Sequence, residues 1–164
     1  MTNGFETRQY IAFKLGEEEF AFDIASVKEI FPTQNITKVH RSPEYIEGVM
    51  NLRGRLVTVI DLRKRFRLEA AAADENSRII VIDSRDAPVG FLVDEVTEVA
   101  KIGADSIEPV PAYVAEGIES EYVLGIAKIE ERLITLVDPM KILELSSDDA
   151  RTNGGGSVGD SPGR

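Results

Sequence analysis

Cysteine and tryptophan are absent from the 164 residues, and histidine occurs once. Without cysteine there is no disulfide framework, no thiolate zinc site and no thiol nucleophile. One imidazole excludes a histidine metal cluster. No apolar run approaches the ~20 residues that a membrane helix needs. The first 20 residues lack a basic segment followed by an apolar core, so they do not read as a secretory signal. The chain is therefore expected to be cytoplasmic, with no direct membrane insertion. Positive charge is scarce: the net charge is −10 and the pI is near 4.7. Duplex DNA, RNA and anionic membranes require clustered lysine and arginine, so no nucleic acid partner is expected.

Hydrophobic residues make up 43% of the chain and charged residues 29%, the balance of a globular protein. Alternation with period two dominates. Short, mostly β-branched runs at 10–15, 20–24, 36–39, 45–52, 56–60, 78–82, 89–93, 122–129 and 133–137 read as strands. Gly16-Glu17-Glu18-Glu19 between the first two reads as a hairpin turn. Helical signals are few: Asp61 before LRKRF, Asp138-Pro139 before MKILEL, and a turn over 25–29. Residues 146–164 hold a single large apolar side chain, Val158, and read as a flexible tail.

An internal repeat organises the rest. Shifted by 69 residues, 10–30 lies over 79–99, matching Ile11/Ile80, Phe20/Val89, Phe22/Phe91, Val27/Val96, Glu29/Glu98 and Ile30/Val99. Shifted by 77, 48–62 lies over 125–139, matching Gly48/Gly125, Arg55/Arg132, Leu56/Leu133 and Asp61/Asp138. The larger offset places about eight extra residues near 108–121. Each copy holds about five strands. The expected fold is all-β: two five-stranded barrels, 8–75 and 76–145, related by a pseudo-two-fold internal duplication and able to exchange strands, with short helices. The copies differ in charge: 1–73 carries +1 and 74–145 carries −10.

No phosphate-binding glycine motif occurs. His40 has no nucleophile or orienting acid assembled around it in KVHRSPEY and reads as a loop residue. Glu17, Glu18 and Glu19 alternate in direction along a hairpin, which is the wrong spacing for a calcium loop. Asp83, Asp86, Asp94 and Glu95 flank a second hairpin, where acids serve as turn residues or as paired carboxylates for metal-dependent acid–base work. In 63–67 the cations lie outside a short helix whose Leu62 and Phe66 turn inward. Binding remains. The copies disagree at one turn, where Asn51-Leu52-Arg53-Gly54 in the first faces Lys128-Ile129-Glu130-Glu131 in the second. Arg53 offers a fixed five-donor cation, and Glu29, on the segment after the second strand, is its candidate mate. An ion pair that merely closes the first barrel is the alternative.

The stretch 27–66, with V-K-E-I and G-V-M-N-L-R-G-R-L-V-T-V-I-D-L-R-K-R-F, resembles the CheW-type chemotaxis coupling (adaptor) proteins. So do V-G-F-L-V-D-E-V-T-E-V at 89–99 and Y-V-L-G-I-A-K-I followed by L-I-T-L-V-D in 122–138. The resemblance implies two SH3-like barrels and a non-enzymatic scaffold without cofactors. It implies a ternary complex linking methyl-accepting chemoreceptor cytoplasmic tips to the regulatory domain of the histidine kinase CheA, a two-component signal-transduction system, at membrane-associated receptor arrays. It associates the charge pair at Arg53 and Glu29 with receptor coupling beside a groove between the barrels, and leaves the kinase contacts unassigned. Val27, Ile30 and the Asn51, Leu52, Arg53 and Gly54 turn are expected to border that groove and complete the receptor-binding set. Two rivals stand beside it: a carboxylate-rich metal-dependent enzyme and a generic small-barrel peptide-binding module. The second lacks the tryptophans of a proline-rich groove, and only four tyrosines are present.

Overall fold

The period-two runs fold as eleven strands among the residues that the computed structural model describes, 6–110 and 120–144. The proposed tail and most of the extra segment lie outside those residues. In chain order the strands are β1 (Thr7–Leu15), β2 (Glu18–Asp23), β3 (Val27–Pro32), β4 (Ile46–Leu52), β5 (Arg55–Asp61), β6 (Arg78–Asp83), β7 (Pro88–Val93), β8 (Glu95–Gly103), β9 (Ile107–Glu108), β10 (Val123–Ile129) and β11 (Arg132–Val137). One helical turn, α1 (Leu62–Arg65), follows β5. Its cap is Asp61, whose carboxylate accepts from the Arg63 N–H at 3.0 Å and the Lys64 N–H at 3.4 Å. Asp138 caps the related helical stretch 139–144 in the same way, accepting from the Met140 N–H at 3.0 Å.

Hydrogen bonding sorts the strands into a five-stranded sheet, β3-β6-β7-β5-β4, and a six-stranded sheet, β8-β1-β2-β11-β10-β9. Each sheet draws on both copies of the repeat. The first two strands of each copy cross over to join the later strands of the other: β6 and β7 join β3, β4 and β5, and β1 and β2 join β8, β9, β10 and β11. β7 runs parallel to β5, and β2 runs parallel to β11, so a strand from each copy completes its twin. The registers match across the duplication. Thr58 pairs with Val89 where Thr135 pairs with Phe20, and Glu29 pairs with Val81 where Glu98 pairs with Ala12. The sixth strand, β9, is the counterpart of a single bridge, Thr37 to Val49, in the smaller sheet.

Three apolar clusters follow. Met50, Val57, Val59, Ile79 and Val81 fill the smaller sheet, and Tyr10, Ala12, Ala21, Ile102, Ala127, Ile134 and Leu136 fill the larger. The largest cluster lies between them. Its aromatic chain runs Phe91–Phe22–Phe13–Phe20–Phe66–Tyr122 with ring centroids 4.9–6.0 Å apart. Gly48 and Gly125 explain their own repetition. A Cβ at Gly48 would collide with the Thr37 carbonyl oxygen, and one at Gly125 would stand 2.8 Å from the Ile107 Cγ2. At both places a neighbouring backbone passes directly over the strand.

Three local expectations change. The helical turn expected over 25–29 is a 3-10 turn at Ile24–Ser26, and the chain is already strand from Val27. Burial alternates along β3, and pairing with β6 satisfies backbone groups that an isolated turn of helix would leave open. The strand expected at 36–39 shrinks to the Thr37 bridge, because Ser42 donates back to the Val39 carbonyl at 2.8 Å and the chain turns away. Arg65 does not face solvent with its neighbours. It is 3% exposed, its guanidinium carbon 5.2 Å from the Tyr45 ring centroid and 5.9 Å from that of Tyr122.

Candidate functional site

The turn joining β4 to β5 is two residues long, and both have positive φ: +55° at Arg53 and +85° at Gly54. That is the geometry of a hairpin turn whose twist matches its strands. The Asn51 side-chain oxygen accepts from the Gly54 N–H at 3.0 Å and locks it. Arg53 is thereby aimed across the mouth of the smaller sheet at β3. Its Nη1 donates to the two Glu29 carboxylate oxygens at 3.0 and 3.1 Å. The guanidinium carbon lies 5.7 Å from the centre of the Phe31 ring, two residues further along the same face. Arg53 is 67% exposed and Glu29 32%, so the pair sits at the surface while its orientation is fixed from three sides.

Glu29, Leu52 and Arg53 line one pocket of about 210 Å³ with Lys28, Arg55, Val57, Val81 and Pro88. Lys28, Arg55 and Pro88 are absent from the sequence-derived set. Their signal was available in the repeat, where Arg55 aligns with Arg132 and Pro88 with Glu19. Val27 and Ile30 belong elsewhere. A bulge at Lys28 sets them on the face of β3 that looks toward the inter-barrel core, opposite Ile82 and Ile80. Val27 lines a second hollow, of about 260 Å³, with Ala25, Ser26, Asp83 and Met140. Met140 also lines a third hollow, of about 330 Å³, with Val89, Ala87 and Leu143. The structure therefore brings Glu29, Leu52, Arg53 and Gly54 together, places Asn51 behind them as the turn lock, and sets Val27 and Ile30 around the corner, on the opposite face of β3, where Val27 lines the groove between the sheets.

The corresponding end of the larger sheet is closed. Arg132 donates to Glu19 at 3.0 and 2.8 Å and meets Glu98 at 2.6 Å. These bonds raise Arg132 above the ordinary guanidinium value. They hold Glu19 below the usual carboxylate range, against the burial that pushes it up. A further pair joins the halves, with Arg63 Nε donating to Asp94 at 2.9 Å and the Gly16 N–H adding a bond at 2.6 Å. Among the described residues, no group of three or more histidine, aspartate or glutamate side chains is arranged to hold a metal ion. His40 is exposed in its loop. Among the described residues no helix is long and apolar enough to cross a membrane.

Comparison with known proteins identifies the family and the fold. Residues 9–147 match the model of the CheW-like domain family. The chain is 38% identical over 136 residues to the chemotaxis protein CheW of Klebsiella aerogenes, covering 83% of this chain and 81% of that protein. It is 36% identical over 140 residues to the chemotaxis protein CheW of Bacillus subtilis, covering 84% and 87%. The crystal structure of the scaffolding protein TtCheW from Thermoanaerobacter tengcongensis superposes with a TM-score of 0.77 at 36% identity, covering 84% of this chain and 88% of that one.

Proposed function

This chain belongs to the CheW-like family of chemotaxis adaptors, which are scaffolds and not enzymes, and on that premise we propose that it couples methyl-accepting chemoreceptors to the regulatory domain of the histidine kinase CheA. The receptor-binding surface is formed by Val27, Glu29, Ile30, Asn51, Leu52, Arg53 and Gly54. The observation that supports this reading most is the Arg53–Glu29 pair, held at 3.0 Å on a locked turn beside an open groove. A surface ion pair contributes little stability on its own, so such orientation points to recognition. Val27 and Ile30 supply apolar anchors to a receptor helix lying in the groove, and the charge pair fixes its register. The two halves of the chain then hold two macromolecules side by side, in the cytoplasm at membrane-associated receptor arrays.

The test is assembly from purified parts. The chain is mixed with a receptor signalling fragment and the CheA regulatory domain and resolved by size-exclusion chromatography. Co-elution of all three is expected. Elution of three separate species at concentrations well above micromolar would overturn the reading. A metal-dependent enzyme would instead give saturable heat with magnesium, manganese or calcium in calorimetry, and none is expected.

A further inference from the structure

The two copies of the repeat serve as references for each other, and they part company at one ion site. In the larger sheet Arg132, the first residue of β11, is closed between Glu19 of β2 and Glu98 of β8. In the smaller sheet Arg55, the first residue of β5, stands at the same place: it pairs with Leu52 as Arg132 pairs with Ile129. Both of its expected partners are missing. The register that sets Glu19 beside β11 sets Pro88 beside β5, and Pro88 has no carboxylate. Glu29 takes the place of Glu98, but its two oxygens are engaged by Arg53, a position that is Glu130 in the other copy. Among the described residues no carboxylate reaches Arg55.

What is left is the pocket of about 210 Å³ bordered by Arg55, Lys28, Arg53, Glu29 and Pro88. Three cations and one carboxylate line it, in a chain whose net charge is −10. Lys28 reaches Asp83 only at 3.4 Å and is 43% exposed, so its ammonium remains available. The volume is below the roughly 300–1,000 Å³ of pockets that enclose small molecules. It suits one side chain inserted from outside. Leu56, next to Arg55 and 66% exposed, offers apolar contact to the chain that carries it.

We propose that this pocket is a carboxylate subsite, in which Arg55 and Lys28 receive from a protein partner the Asp or Glu side chain that Glu19 supplies from within at the related place. The proposal rests on the adaptor reading only for placing the acid on a protein partner. The subsite itself follows from the repeat. It makes Arg55 a specificity residue beside the Arg53–Glu29 pair, so that a partner is read by one acid at Arg55 and by apolar contact at Leu56.

The probe is the peptide N-acetyl-Glu-Glu-Glu-amide, titrated into the isotope-labelled full chain and followed by NMR at the Arg55 Nε–Hε and the pocket amides. A saturable shift with a dissociation constant of about 1 mM is expected. Arg55→Gln is expected to weaken it at least about tenfold at unchanged melting temperature, since among the described residues Arg55 has no ion-pair partner to lose. Pro88→Glu is expected to abolish it by pairing its carboxylate with Arg55 from within, while the isosteric but uncharged Pro88→Gln is expected to weaken it less. An equal response to N-acetyl-Gln-Gln-Gln-amide or to inorganic phosphate would overturn the proposal, as would unchanged binding in Arg55→Gln. Should Pro88→Glu fail to fold, the Arg55→Gln comparison decides alone. No receptor or kinase enters this experiment, so its failure leaves the adaptor assembly untouched. Failure of that assembly, conversely, leaves the subsite standing.

Discussion

Arg53 shows how much of a recognition group is set before any partner arrives. Its backbone lies in the left-handed region, its amide neighbour is locked by Asn51, and its guanidinium is held by Glu29 and the Phe31 ring. Arg53→Ala is expected to weaken receptor coupling about tenfold or more in a pull-down. The melting temperature should change little, because an exposed pair contributes at most ~1 kcal/mol. Arg53→Lys should recover little of the binding, since an ammonium has neither the fork nor the planar face. The two glycines of the same hairpin separate two physical costs. A Cβ at Gly54 meets nothing within 4 Å, so Gly54→Ala is expected to cost only the ~1–2 kcal/mol of a left-handed backbone. At Gly48 the Thr37 carbonyl blocks the Cβ, so Gly48→Ala should cost more and displace the loop before β4. Thermal melts of the two variants check the order. Equal losses would show that the close approach over Gly48 is not rigid.

At the scale of the element, the ion pairs do what the hairpins cannot: they tie strands of one copy to strands of the other. Arg132 of β11 holds Glu19 of β2, and Arg63 of α1 holds Asp94 between β7 and β8. Burial pushes Asp94 up, but Arg63 and the Gly16 N–H outweigh it, and both Asp94 and Glu19 stay below the ordinary carboxylate range. A carboxylate lowered in the folded state adds stability that is complete above its unfolded pKa, about 4, and is lost as pH falls through the folded value. Asp61 runs the other way. Burial raises it, so its protonation favours the fold and blunts part of the acid loss. The melting temperature is expected to be flat down to about pH 5 and to fall below about pH 4. Asp94→Asn and Glu19→Gln should each lower the unfolding free energy at neutral pH by about 1–3 kcal/mol and flatten the acid drop, as melts across pH will show. The hairpins around these pairs were legible from alternation and turn residues, and both aspartate caps from their placement alone. β3 was not. Four of its six residues, Val27, Lys28, Glu29 and Ile30, fit one turn of helix as well as a strand, and only β6, about fifty residues on, decides between them. The split of the candidate site has the same cause. A bulge at Lys28, invisible in the sequence, sends Glu29 to one face and Val27 with Ile30 to the other.

For the whole molecule, the duplication could be read from the sequence, but the way its halves are joined could not. Apolar spacing shows that two copies exist. It carries no register between β5 and β7 or between β2 and β11, and those two parallel pairs are where each sheet is completed by the other copy. The largest apolar cluster belongs to neither copy, with Phe13, Phe20 and Phe22 from β1 and β2 packed beside Phe91 of β7 and Tyr122 ahead of β10. A chain cut after residue 75 therefore divides both sheets. The first piece keeps β3, β4 and β5 without β6 and β7, and β1 and β2 without β8 and β11. Each piece, of about half the chain, also falls where a core is marginal even when its strands are complete. Neither piece is expected to give a cooperative melt as a monomer, whereas an equimolar mixture should recover the β-sheet circular dichroism and a single transition, at a rate that rises with concentration. The pseudo-symmetry adds a sharper outcome. Because each copy supplies the strands that its twin lacks, the piece holding residues 1–75 has a second route, pairing its own β1 and β2 with the β3, β4 and β5 of another such piece. Any order it shows alone should therefore appear as a dimer in sedimentation. A folded monomeric piece would mean that the exchange between copies is dispensable to the fold, and that the groove between the sheets is a contact of two finished barrels and not the seam along which they are sewn together.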